Sequence, residues 1–396
     1  MEKFLLIPDS FKGTMSSLEI CGIMAGAIKK HLPEASVKAI SVADGGEGSV
    51  DAFLSSMGGK KKYIKVRGPN FEEVEAFYGL IQDGSTAIIE MAACAGLPLS
   101  GANCDAMRTT TYGVGELILD AARSGCRRVI MGLGGSATND GGCGAAAAVG
   151  VLFSDADGNN FVPVGGTLAK IARVDLSRMA PELKDLKITT MCDIDNPLYG
   201  ETGAAYVFGP QKGATARTLP LLDAGLRSFA SVVKKELGAD CAEMPGAGAA
   251  GGMGYGMHTL FGSELQMGIE TVLDTVGFDE LAKEADVVFT GEGKIDSQSL
   301  RGKVVIGVAR RAKKQGTPVI AVVGDIENGI ETAYDEGVSA IFSINRVAVS
   351  YQQAKPRAKD DLRLTMEDII RFLKMAEAAG HQPPAKPGEH QTILKL

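Results

Sequence analysis

The chain opens with a short apolar run, KFLLI, then the polar connection PDSFKGTMSS, then LEICGIMAGAIKKHL, where Leu18, Ile20, Ile23, Met24, Ala27, Ile28 and Leu32 recur at helical spacing. A buried-type strand leading through a polar loop into an amphipathic helix reads as the start of a βαβ unit, with Ser16 or Ser17 as the helix N-cap. VKAISVAD reads as a second strand. The same rhythm returns near the end, where ADVVFTG, VVIGVARRAKKQG, PVIAVVGD and AIFSIN read as strand, helix, strand and strand, followed by a helix over 360–379. The middle differs. KKYIKVRGPNFEEVEAFYGLIQDGSTAIIEM alternates polar and apolar residues with period two, as antiparallel strands with one wetted face do. A helix over 114–124 and the strand RRVIMGLG follow.

The pattern predicts an α/β protein of two domains. Residues 1–60 and 285–380 would form a doubly wound parallel sheet, with a mixed α/β domain inserted at 61–284. Residues 381–396, HQPPAKPGEHQTILKL, read as a polar, proline-rich flexible tail. A length of 396 residues agrees with two cores rather than one. The net charge of −7 argues against nucleic acid and against an anionic membrane, because both require a basic footprint. Small-molecule partners are therefore expected, and a homo-oligomer is left open. Seven cysteines without CxxC or Cys/His spacing, and no signal peptide or long apolar span, point to a reduced, cytoplasmic protein without structural zinc.

Glycine changes the picture. Its 51 residues do not form a repeat but cluster with Asp, Ser and Asn after apolar runs, where backbone must turn sharply or approach a ligand. ADGGEGSVDAF sets Asp44, Gly45, Gly46 and Glu47 between a strand and a helix, where amides converge on a point suited to phosphate or carboxylate. Its two carboxylates would repel a naked anion, so a divalent cation bridging them to phosphate is the economical arrangement. VIMGLGGSATNDGGCGAAAAVG, residues 129–150, has the strand, glycine loop, helix order of a phosphate cradle, with Gly134, Gly135, Ser136, Asn139 and Asp140 in the loop.

Further polar loops carry charge. The opening connection supplies Asp9, Ser10 and Lys12. MCDIDNPLYG presents Asp193, Asp195 and Asn196, suited to Mg²⁺ or to accepting a proton. FGPQKGAT adds Lys212, and FTGEGKIDSQSLRGK adds Glu292, Lys294, Asp296 and Lys303. Taken singly, each could be a solvated turn. Together they are polar, glycine-containing loops that follow β-type runs, and the strand ends of α/β domains are where ligands bind. The four histidines, His31, His258, His381 and His390, offer no Ser/His/Asp set. Phosphate cradles, loop carboxylates and scattered lysines are instead the parts of phosphoryl transfer, in which positioning and charge neutralisation supply most of the catalysis. In this reading the opening loop with Lys12 is either a capped strand-to-helix turn or a contact to an anion, and Asp193, Asp195 or Asp296 supplies the catalytic carboxylate, with Asp193 and Asp195 as the metal-ligand pair.

PDSFKGTMSS, ADGGEGSVDAF, GLGGSATNDGG, CDIDNPLYG, FGPQKGA, GAGAAGGMGYG and TGEGKIDSQSLRGK, in that order, resemble the bacterial glycerate kinase family of the class I type, over nearly all of residues 1–350. Ser49, Lys294 and Val305 stand where the family more often has Thr, Arg and Pro. The resemblance implies ATP-dependent phosphorylation of D-glycerate with Mg²⁺ by two α/β domains, one flavodoxin-like and the other an insertion resembling the restriction-endonuclease core. A kinase for a related hydroxy acid such as tartronate or hydroxypyruvate, and a non-catalytic sugar-acid or nucleotide-binding protein, are the alternatives. The residues do not distinguish O2 from O3 of glycerate as the acceptor, nor the loop that holds ATP from the one that holds glycerate.

Overall fold

The computed structural model describes residues 1–42, 45–101 and 104–380. The tail expected at 381–396 lies outside the described residues. The chain divides into two compact units, Met1–Ala43 with Val272–Leu396, and Asp44–Thr271.

The discontinuous unit is built on five parallel strands, Lys3–Pro8, Ser36–Ala39, Val287–Gly291, Val319–Val323 and Val338–Ser343. In space they run second, first, third, fourth, fifth. Phe4 and Leu6 point into one core with Phe289 and Val322, covered by the helices Ser17–His31 and Ala358–Ala378. Leu5 and Ile7 are buried too, and the helix Val304–Gln315 packs against the same strands. This burial of both faces explains why the strands read as continuous apolar runs rather than as alternation. Ser16 caps the first helix in a reciprocal box with Glu19.

The inserted unit has a six-stranded mixed sheet. Lys60–Arg67, Glu73–Ile81 and Thr86–Glu90 pair antiparallel, and Thr86–Glu90, Arg128–Gly132, Lys187–Met191 and Glu264–Gln266 pair parallel. The period-two segment thus forms the antiparallel half. A second core fills one face, from Tyr78, Ile89, Val129 and Met131 out to Phe229 and Tyr255.

The division between the units falls at 43/44 and 271/272, not at 60/61 and 284/285. The helix Ser49–Met57 packs on the strands Glu73–Ile81 and Thr86–Glu90, with the Val50 amide donating to Glu90 at 2.6 Å, so it belongs to the insertion. The helix Phe278–Glu284 belongs to the discontinuous unit, because Arg311 forks onto Asp279 at 2.8 and 2.9 Å and Thr317 donates to the Ala282 carbonyl at 2.6 Å. No described helix is long and apolar enough to cross a membrane.

Candidate active site

In the discontinuous unit the first strand has the second strand on one side and the third on the other. Connections leave in opposite directions there, and this reversal opens a crevice at the strands' carboxyl ends. Two sequence-predicted loops start at that point. After Pro8, the Asp9 amide donates to the Gly291 carbonyl at 2.8 Å, and Phe11 and Met15 exchange backbone bonds at 2.9 and 3.0 Å. The turn between them lifts Lys12 to the surface and needs Gly13 at φ 75°, where a side chain would be strained. Ser10, Lys12, Gly13, Thr14, Ser16 and Glu19 line an open depression. Ser17 is buried beneath, donating to the Pro8 carbonyl at 2.6 Å and accepting from the Val42 amide at 2.9 Å.

The second loop leaves the strand Val287–Gly291 through Glu292. This carboxylate is 7 % exposed, and its Oε1 has no hydrogen-bond partner among the described residues. Burial pushes its pKa up to about 7, with help from Asp9 and Asp296, while Ser299 and Lys303 pull the other way. The neighbouring glycines explain the close approach. A Cβ on Gly291 would lie 2.0 Å from the Val322 carbonyl, and one on Gly293 would lie 3.4 Å from the Phe11 Cα. The remaining charged residues here are engaged locally. Lys294 pairs with Glu327 at 3.0 Å, and Lys303 donates to Gln298 at 3.1 Å. Asp296 accepts the amides of Gln298 and Ser299 at 2.8 and 3.1 Å; desolvation raises its pKa, but those amides and the two lysines outweigh it and hold the carboxyl below its usual value.

The inserted unit gathers its glycine loops at the carboxyl edge of its parallel strands. Gly45 accepts the Gly134 amide at 3.0 Å, and a Cβ on Gly132 or Gly134 would run into the backbone of Gly45 or Gly46. Asp44 lies outside the described residues, and Glu47 is exposed. The amides that follow are partly spent: Glu90, buried and with its pKa raised by desolvation, accepts from Val50, and the Gly48 amide pulls the same carboxyl down. An internal carboxylate thus already serves this helix start, which the sequence pattern did not suggest.

In the 134–142 loop, Asp140 faces inward and not toward a ligand. Its oxygens accept from the Thr111 amide and hydroxyl at 2.7 and 2.9 Å and from the amides of Gly142 and Gly144 at 3.1 and 3.3 Å, although full burial still raises its pKa. Asp140 therefore ties the loop to the residues before the helix Tyr112–Arg123. Lys212 is 1 % exposed and donates to the Ser136 hydroxyl at 2.8 Å and the Thr138 carbonyl at 2.7 Å. Desolvation lowers its pKa to about 7, against the pull of Asp140. The amides of Gly135 and Ser136 make no backbone hydrogen bond among the described residues. Neither carboxamide atom of Asn139, fully buried, has a partner there.

The DxDN group follows the strand Lys187–Met191 but is not itself extended strand. Asp193 Oδ1 accepts the Gly268 amide at 2.7 Å at the start of the helix Gly268–Val276, Asp195 is exposed, and Asn196 donates to the Thr202 carbonyl at 2.8 Å. Among the described residues, no group of three or more His, Cys, Asp or Glu side chains converges as a metal cage.

Glycine-rich loops on parallel strand ends beside a buried lysine are features common among α/β proteins that bind phosphorylated ligands. The glycerate kinase family model matches residues 4–374. The chain is 44% identical to the glycerate kinase of Halalkalibacterium halodurans over 93% of its own length and 97% of the relative's. It is 43% identical to the glycerate 2-kinase of Escherichia coli K12 over 94% and 98%. A crystal structure assigned to glycerate kinase 2 of Salmonella typhimurium LT2 superposes with a TM-score of 0.84 at 38% identity, covering 95% of this chain and 99% of that one. The chain belongs to the glycerate kinase family.

Proposed function

We propose that the protein transfers the γ-phosphoryl group of ATP to a hydroxyl of D-glycerate. Kinship over almost the whole chain carries this reading, since the Escherichia coli and Halalkalibacterium relatives align nearly end to end. The name of the Escherichia coli relative favours O2 as the acceptor, giving 2-phosphoglycerate.

The loops divide the work. The 134–142 loop and Lys212 suit nucleotide phosphates: glycines bring the backbone close, and Gly135 and Ser136 present amides while the ammonium anchors Ser136. Ser10 and Lys12 suit the carboxylate of the acid substrate, with Asp9 beside them. Mg²⁺ fits a donor set of this kind, because it keeps several waters and is commonly held by one or two carboxylates plus substrate phosphates. Asp193 and Asp195 would hold it, and it would supply neutralisation of the phosphate charge. The spatial strand order of the discontinuous unit, second, first, third, fourth, fifth, supports the flavodoxin-like description. The restriction-endonuclease comparison for the insertion rests on the family resemblance alone. The expected setting is cytoplasmic.

Incubation with ATP, Mg²⁺ and D-glycerate, followed by phosphorus NMR, tests the reading. One new phosphomonoester signal matching 2-phosphoglycerate, with stoichiometric ADP, is expected. Tartronate and hydroxypyruvate should turn over at least about tenfold less efficiently, since a missing or altered hydroxyl leaves buried polar groups unpaired. No ADP formation with any of the three acids, from folded protein that still binds nucleotide, would favour the non-catalytic alternative.

A further inference from the structure

We infer that Glu292 takes the proton from the substrate hydroxyl as that oxygen attacks phosphorus, with the acid substrate seated at the carboxyl ends of the strands Lys3–Pro8 and Val287–Gly291. The inference rests on the kinase reading above and adds the acceptor-side base that the sequence sought among the aspartates.

Of those aspartates, Asp195 stands exposed and the other two already accept backbone amides. Asp193 Oδ1 accepts the Gly268 amide, and Asp296 Oδ1 accepts two amides of its own turn. A carboxylate that accepts amide donors is a weaker base, because each bond stabilises its ionised form. Glu292 is the opposite case. Its Oε1 is buried without a partner among the described residues, which costs free energy unless something else satisfies it. A substrate hydroxyl donating to that oxygen would satisfy it, and the same hydrogen bond is the path along which the proton leaves.

Position agrees with chemistry. Glu292 follows the strand Val287–Gly291 at the crevice where α/β sheets of this order bind ligands. Gly293 brings this backbone against Phe11 and Lys12, so the carboxylate and the cation proposed for the substrate's own carboxylate belong to adjacent loops. The charged groups around Glu292 are Asp9 from the opening loop, Asp296 from its own loop and Lys303 at the start of the helix Val304–Gln315; the two aspartates and burial favour the protonated form, Lys303 the ionised one. The resulting pKa near 7 is well matched to general-base work at neutral pH.

In the step, a lone pair of the hydroxyl oxygen forms the new O–P bond while the bond from the γ-phosphorus to the bridging oxygen breaks. That electron pair leaves on the β-phosphate of ADP, and the hydroxyl proton passes to Glu292, which releases it to solvent after product leaves.

Glu292→Gln keeps the shape and removes the base. In the full-length protein its kcat should fall at least about a hundredfold, while calorimetry finds D-glycerate affinity within about threefold of wild type. Wild-type kcat should rise with pH through a midpoint near 7, and that step should vanish in Glu292→Gln and move in Glu292→Asp. A Gln variant retaining more than about a third of kcat, or losing only affinity, or keeping the wild-type pH step, overturns the assignment. If the Gln variant does not fold, Glu292→Asp decides: an unmoved midpoint overturns it, a moved one supports it. A wild-type protein that makes no phosphoglycerate at all sinks the kinase reading instead, so the two failures are distinct.

Discussion

Two buried ionisable side chains carry opposite costs. Glu292 has its pKa raised and Lys212 has its pKa lowered, each chiefly because burial penalises charge. Among the described residues neither is directly paired with an opposite charge, the pattern expected of groups waiting for a ligand rather than holding the fold. For Glu292 the folded pKa of about 7 stands above the ordinary 4.5, so the unfolded chain loses its proton first as pH rises. Its contribution to stability is therefore fully present below about pH 4.5 and is lost as pH climbs through 7. Urea unfolding should find Glu292→Gln more stable than wild type at pH 8, by on the order of 2–3 kcal/mol. At pH 4 the two should coincide. Equal stability at both pH values would mean that the carboxylate is not buried in the way described.

At the scale of elements, most glycines serve backbone approach. The helix Ala249–Phe261 begins with three consecutive left-handed residues, Ala250, Gly251 and Gly252, and the Gly251 carbonyl accepts the Gly141 amide at 3.1 Å. Further along, Gly256 lies so close to the 134–142 loop that a Cβ would sit 2.3 Å from the Gly141 carbonyl. GAGAAGGMGYG is thus a buttress for the 134–142 loop. In an isolated helix Gly256→Ala would gain about 1 kcal/mol from propensity alone. Here it should instead lower the thermal midpoint, and in the protein that remains folded it should raise the KM for ATP by about tenfold or more, as a displaced first-contact loop does. Thermal melts and steady-state kinetics at 20–25 °C check both. A variant with a raised midpoint and unchanged KM would show that this helix does not support the loop.

At the scale of the whole molecule, the chain's two ends share one sheet. The strand Lys3–Pro8 lies between Ser36–Ala39 and Val287–Gly291, so the later strands lack their inner neighbour until the first residues are in place. The inserted residues, by contrast, contain every strand of their sheet and their own core. Expressed separately, 44–271 should unfold in one cooperative transition, whereas 272–380 alone should show no native-like tertiary circular dichroism. Adding residues 1–43 in trans or by permutation should restore it. A cooperative transition for 272–380 by itself would contradict the role given to the first strand.

Local periodicity and loop chemistry were legible in the residues alone. Helical spacing located the first helix, expected from Ser16 or Ser17 and found at Ser17–His31, and the last, expected over 360–379 and found at Ala358–Ala378. Apolar runs located the parallel strands and period two the antiparallel ones, because those patterns record which faces are buried. The polar glycine loops stood out because strand ends are cheap places to expose backbone amides. What the sequence could not decide was the partner of each charge. Asp140 and Lys212 look alike as loop polar residues, yet Asp140 meets four donors contributed by Thr111, Gly142 and Gly144, while Lys212 donates to a hydroxyl and a carbonyl. Glu90 and Thr111 gave no local signal, since their importance comes from chain segments 29–40 residues away. Glu292 reads as one acid in a polar run, and only the tertiary structure buries it and leaves its Oε1 without a partner among the described residues. Side-chain ionisation depends on what surrounds a group in space, and the spacing of residues along a chain does not carry that information.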